Sequence, residues 1–90
     1  MRVTRDVAIV NALGLHARAA ARFVQVAGRF QAQVHLTRDG RTVDGKSIMG
    51  ILLLAAACGA VVTIEAEGPD AAAAVDELAA LVESGFGGGM

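Results

Sequence analysis

The sequence predicts an α+β domain built in two layers, one antiparallel sheet with helices over one face and water over the other. Strand-like and helix-like stretches follow one another in the order β-α-β-β-α-β-α. A hairpin signal, Asp39-Gly40, lies between the two middle strands. The first and last helical stretches each carry an apolar stripe that needs a sheet to cover it.

Val3–Val10 is rich in β-branched residues and reads as the first strand, broken by Asn11-Ala12-Leu13-Gly14. Over 17–27 a helix follows, with Ala20, Phe23, Val24 and Ala27 at i, i+3, i+4 and i+7. Arg18, Arg22, Gln25 and Arg29 form its polar stripe, and Gly28 is placed to end it as a left-handed glycine. Ala32, Val34 and Leu36 alternate with Gln33, His35 and Thr37, a half-buried second strand with its polar face outward. After Asp39-Gly40 a short third strand returns through 41–43, and Asp44-Gly45 breaks it. Ser47 is placed to cap a second helix over 48–57 that Gly59 closes. Val61–Ala66 is the fourth strand, with Val62, Ile64 and Ala66 inward. Gly68-Pro69-Asp70 then turns into a third helix capped by Asp70, whose buried face is Val75, Leu78, Ala79 and Val82. Residues 1–84 form the single domain and 85–90 a glycine-rich flexible tail.

Composition narrows the function. Ninety residues make one domain, and 54% hydrophobic content with 19% charge belongs to ordered globular proteins. Three Phe with no Trp or Tyr leave little for base stacking, and a net charge of −1 gives no overall basic footprint, so nucleic acid is not the expected partner. The charge is unevenly spread. Residues up to Lys46 carry about +5 and those beyond it about −6, which suits an anionic ligand or an acidic partner of the first half. One cysteine, Cys58, excludes an intrachain disulfide. The start MRVTRDVAIV does not resemble a signal peptide, and the longest apolar run, 48–58, is too short to span a bilayer. A cytoplasmic protein with no membrane partner is expected.

His16 stands where the loop 11–15 meets the first helix. The unpaired N–H groups of a first helical turn and the positive end of the helix dipole form an anion site. The same positive end favours an uncharged, nucleophilic imidazole. Arg18 adds a forked donor for phosphate oxygens, Arg22 is placed to meet an acidic partner, and Gly14 permits the turn that leaves His16 exposed. No lysine-bearing phosphate loop and no cluster of metal-ligating residues accompanies His16, so neither a nucleotide cofactor nor a metal is expected. His35 reads as a surface residue. From position alone, a polar residue that merely opens a helix is the commoner case.

Leu13-Gly14-Leu15-His16-Ala17-Arg18-Ala19-Ala20 resembles the active-site segment of HPr, the histidine phosphocarrier family of the phosphoenolpyruvate-dependent phosphotransferase system. Gly45-Lys46-Ser47-Ile48-Met49-Gly50 resembles the regulatory-serine motif of the same family, at the family's spacing. The resemblance covers nearly the whole chain apart from the tail. It implies a sheet order of 1-4-2-3 with three helices on one face. It also implies that His16 accepts a phosphoryl group on Nδ1 from enzyme I, that Arg18 steadies it, and that a histidine of an enzyme IIA component receives it. Such a protein is a carrier, not an enzyme in the strict sense, and needs no cofactor. The resemblance departs at Ala19, where the usual motif has proline. Alanine keeps the helix, and the difference bears on how tightly the His16 loop is held.

The resemblance further implies that HPr kinase/phosphorylase, where present, phosphorylates Ser47 from ATP. Ile48, Met49 and Leu52 of the second helix are expected to form an exposed apolar patch beside His16, ringed by Arg18, Arg22 and Lys46, as a docking site for transient partners. A monomer fits this use. The carrier would serve sugar uptake or the nitrogen-related regulatory branch. The competing reading is a regulatory binding module that acts mainly through Ser47, and a generic α+β small-ligand or RNA-binding domain is a third.

Overall fold

The computed structural model describes residues 1–87. Seven elements follow in chain order: β1 (Arg2–Ala8), α1 (Ala17–Ala27), β2 (Gln33–Arg38), β3 (Arg41–Asp44), α2 (Ile48–Leu53), β4 (Val61–Glu67) and α3 (Ala71–Glu83). The strands form one antiparallel sheet in the order β1-β4-β2-β3, as the resemblance implies.

Alternation within the strands decides which side the helices cover. Val34 and Leu36 of β2 and Val62, Ile64 and Ala66 of β4 are buried in one cluster. Ala20, Phe23 and Ala27 of α1, Ile51 of α2, and Val75, Leu78, Ala79 and Val82 of α3 close over them. Each large apolar side chain so buried contributes about 1.5–3 kcal/mol. On the opposite face Asp6, Thr63, Thr37 and Thr42 stand in one cross-strand row. Thr63 Oγ1 donates to Asp6 Oδ1 at 2.6 Å, and the hydroxyls of Thr37 and Thr42 share a hydrogen bond of 2.8 Å. His35 also lies on this face, half-buried between Asp44 and Glu65 in the strand register. The Asp39-Gly40 hairpin turn forms with positive φ at both residues, 50° and 79°.

The structure moves several boundaries. β1 stops at Ala8 rather than Val10, although Ile9 still donates to the Ala60 carbonyl and accepts from Gly59. Gly28 has φ −66° and is not a left-handed stop; it carries the last turn of α1 onward, its N–H donating to Val24. α2 ends at Leu53 instead of reaching 57, because the chain turns sharply at Ala55, φ 49°. Gly59 therefore lies well past the helix it was expected to close. Asp70 occupies the N-cap of α3, but its carboxylate makes no capping bond and accepts the amides of Gln31 and Ala32 instead.

The expected loose tail does not begin at 85. Phe86 is 0% exposed and belongs to the core. Its amide donates to the Leu81 carbonyl at 2.8 Å, and Gly85, Phe86 and Gly87 all have positive φ, a tight left-handed turn that folds the ring back under α3. The rest of the expected tail, 88–90, lies outside the described residues.

Candidate functional site

His16 is delivered by a short loop that closes on itself and on the segment after α2. Asn11 Nδ2 donates to the Gly14 carbonyl at 2.8 Å, and the Gly14 amide returns to the Asn11 carbonyl at 3.1 Å. Gly14 has φ 67°, and a Cβ there would lie 2.5 Å from the Ala56 carbonyl oxygen, so only glycine fits. The next amide, Leu15, donates to that same Ala56 oxygen at 2.9 Å, and the Leu15 side chain is buried. The loop is thereby seated immediately before His16.

His16 is the N-cap residue of α1, with extended backbone at φ −81° and ψ 177°. Its carbonyl accepts the Ala20 amide at 2.9 Å and so starts the helix. Its ring makes no capping hydrogen bond. The amides of Ala17, Arg18 and Ala19 therefore stay without an acceptor among the described residues, and the positive end of the helix dipole is unneutralised. The two ring nitrogens differ. Nε2 is buried without a hydrogen-bond partner among the described residues, whereas Nδ1 is not enclosed in this way.

Arg18 is exposed and makes no ion pair or hydrogen bond among the described residues, so its guanidinium is available to an incoming anion. Ala19 is fully buried at the third position of α1, where its N–H has no intrahelical acceptor; proline there would forfeit no hydrogen bond. Arg22 is exposed one turn beyond Arg18, and a Cβ on Gly87 would lie 3.0 Å from its Nη2, which places the guanidinium against the C-terminal turn.

Two hydrogen bonds set the direction of α2. Leu15, at the head of α1, meets Ala56, beyond the end of α2; Phe30, beyond the end of α1, accepts from Lys46 Nζ at 2.8 Å, just before α2. The two helices thus run antiparallel. Six residues of α2 rise about 9 Å, so Ser47 and Lys46 stand about that far from Leu53, the end of α2 that leads to the seat of the His16 loop. Ser47 caps α2 as expected, its Oγ accepting the Gly50 amide at 3.0 Å. Lys46 departs from expectation: its ammonium is committed to the Phe30 carbonyl and does not ring His16.

The expected apolar patch is exposed in part. Met49 is 71% and Ile48 40% exposed, but both sit on the first turn of α2, toward the far end from His16. Leu52 is half-buried and packs on the core. Sequence reading missed Leu53, 61% exposed at the near end of α2, and Leu13, 69% exposed in the His16 loop itself. Leu13 opens the segment that resembles the HPr active site, but neither periodicity nor the resemblance gives it a docking role. Leu53 is one of four successive large aliphatic residues, 51–54, from which periodicity selects no outward member. Asn11, the one buried polar residue among the described residues, has no role in the sequence reading beyond breaking the first strand and opening the loop 11–15. No group of three metal-ligating side chains stands together among the described residues, and none of their helices is long and apolar enough to cross a membrane.

Comparison with known proteins decides the family. A family model described as the PTS HPr component phosphorylation site matches residues 3–84. This chain belongs to the HPr family. Phosphocarrier protein HPr of Cupriavidus necator is 54% identical over 85 residues, covering 94% of this chain and 96% of that protein. Among solved HPr structures, that from Thermoanaerobacter tengcongensis superposes with a TM-score of 0.90 at 44% identity, covering 100% of this chain and 99% of that one. HPr from Bacillus anthracis superposes with a TM-score of 0.86 at 48% identity, covering 90% and 96%. The family is one of phosphocarriers of the phosphotransferase system.

Proposed function

We propose that this HPr-family chain takes a phosphoryl group from enzyme I, itself charged by phosphoenolpyruvate, onto Nδ1 of His16 and passes it to a histidine of an enzyme IIA component. The difference between the two ring nitrogens carries this reading: Nε2 is enclosed, which leaves Nδ1 to meet a donor. The Nδ1 lone pair attacks phosphorus as the bond from phosphorus to the enzyme I donor group breaks, and the electron pair of that bond stays with the donor group. During attack the proton of the neutral ring resides on Nε2. The unpaired amides of Ala17, Arg18 and Ala19 at the head of α1, joined by the unpaired Arg18 guanidinium, then take up the arriving negative charge. The second transfer repeats the exchange with His16 as leaving group. The chain is a carrier that returns to its starting state only through its partners, and it acts as a cytoplasmic monomer, either in sugar uptake or in the nitrogen-related branch.

Exposed Leu13, Leu53, Met49 and Ile48, with Arg18 and Arg22, supply a docking face for both partners. Ser47 serves as the regulatory site. A phosphate there would sit at a helix N-terminus, which tolerates negative charge, and would change the docking face rather than the His16 loop.

Incubation with phosphoenolpyruvate, Mg²⁺ and enzyme I tests the assignment. The mass of one acid-labile phosphate is gained by the wild type and not by His16→Ala. The same gain in His16→Ala would overturn it. The enzyme IIA component that then removes the label identifies the branch.

A further inference from the structure

The His16 loop leans on the segment after α2, and that segment is held from outside by two arginines to which the phosphotransfer chemistry assigns no role. Arg38 and Arg41 are direct cross-strand partners at the Asp39-Gly40 turn. Arg38 shares its side of the sheet with buried Val34 and Leu36, the side that the helices cover. Two like charges directly opposite each other repel. Asp39 Oδ2, 3.8 Å from Arg38 Nη2, offsets part of that repulsion, and the end of α2 supplies an acceptor to each guanidinium. Arg38 Nη1 donates to the Leu54 carbonyl at 3.0 Å, and Arg41 Nη1 donates to the Leu53 carbonyl at 2.9 Å.

These are end-of-helix carbonyls that no further turn of α2 can satisfy. The cations also face the negative end of the helix. Held there, the chain passes through the left-handed backbone of Ala55, an unfavourable conformation for a residue with a Cβ, and emerges with the Ala56 carbonyl aimed at the Leu15 amide. An unbroken series of contacts therefore runs from the two guanidinium groups through Leu53 and Leu54, Ala55 and Ala56 to Leu15, the residue before His16.

We propose that Arg38 and Arg41 are positioning residues for phosphoryl transfer at His16, acting by fixing the Ala56 carbonyl on which the His16 loop is seated. The proposal rests on His16 being the acceptor and adds how its loop is held. Without the two donors, the exit of α2 keeps only the amides of Leu54 and Ala55 on the Ile51 and Leu52 carbonyls and the burial of Leu54 and Ala56, and its left-handed turn loosens. Leu15 then loses its acceptor, and the ring nitrogen samples positions away from the line of attack.

The test uses the full chain and four variants: Arg38→Met, Arg41→Met, the double Met variant and the double Lys variant. Each is assayed by single-turnover transfer from phosphorylated enzyme I and by amide hydrogen exchange at Leu15. The double Met variant should bind the donor nearly as well as the wild type but transfer roughly 10–100-fold more slowly at saturation, the scale of a misplaced reacting group. Its Leu15 amide should exchange faster, while core amides such as Ile64 keep their protection. Lysine, which retains charge and donor, should restore most of the rate. Should the double Met variant fail to fold, the single variants carry the same comparison.

Transfer at the wild-type saturating rate with an unchanged Leu15 amide would overturn the proposal. So would a loss confined to donor affinity that disappears at high salt, since that would make the arginines steering charges. A wild type that takes up no phosphate from the donor removes the underlying reading, and this proposal with it; a labelled wild type beside unaffected variants removes the proposal alone.

Discussion

Asp70 Oδ2 accepts the Gln31 amide at 2.8 Å, a link across 39 residues that ties the start of α3 to the entry of β2. The other carboxylate oxygen takes the Ala32 amide, also at 2.8 Å. The Gln31 hydrogen bond is the chief reason that the Asp70 carboxyl is held below the ordinary carboxylate range; the Ala32 bond, the Asp70 backbone and the charge of Lys46 act in the same direction against partial desolvation.

A depressed folded-state value gives stability that is present above the unfolded carboxylate pKa and is lost as the pH falls through the folded value. Asp70→Asn should therefore lower stability at neutral pH and flatten the acid side of the stability profile. Urea midpoints of the wild type and the variant, taken from about pH 6 down to about pH 2, check it. Parallel curves over that range would show that Asp70 is not the titrating link.

Gly14→Ala places a methyl group into the Ala56 carbonyl, in a backbone conformation that costs a Cβ-bearing residue about 1–2 kcal/mol by itself. With the clash added, the variant should lose on the order of 2–4 kcal/mol of stability. Phosphoryl uptake at His16 should fall further than unfolding explains, because the loop that presents the ring must move. Denaturant titration and single-turnover labelling, run side by side, separate the two effects.

Phe86 distinguishes a packed C-terminus from a loose one. Its ring is fully buried, so Phe86→Ala should destabilise the domain by about 3–5 kcal/mol. Thermal unfolding measures it, and an unchanged midpoint would mean that the turn 84–87 contributes nothing to the fold.

Ser47 separates capping from regulation. Ser47→Ala removes the acceptor of the Gly50 amide and should cost about 1 kcal/mol. Ser47→Asp keeps a cap and should stay within about 0.5 kcal/mol of the wild type. If Ser47 regulates docking, the Asp variant should also need more enzyme I for half-maximal transfer, an effect that weakens with added salt. Equal donor requirements for both variants would leave Ser47 a cap alone.

Sequence by itself determined the element order, the buried faces of α1, β2, β4 and α3, the Asp39-Gly40 turn, and His16 at the head of a helix. Each rests on a signal confined to a few neighbouring residues: a period of two or 3.6, a turn pair, a cap. The tertiary structure alone decided where the long or charged side chains went. Lys46 reaches the Phe30 carbonyl instead of His16, Asp70 serves the entry of β2 instead of α3, Arg38 and Arg41 donate to the carbonyls at the end of α2, and Phe86 folds into the core. Those outcomes depend on acceptors and cavities supplied by distant parts of the chain, and a polar side chain or a lone aromatic carries no periodic mark of the partner it will meet. The two ring nitrogens of His16 follow the same rule, since which of them is enclosed is settled only when the rest of the protein closes around the ring.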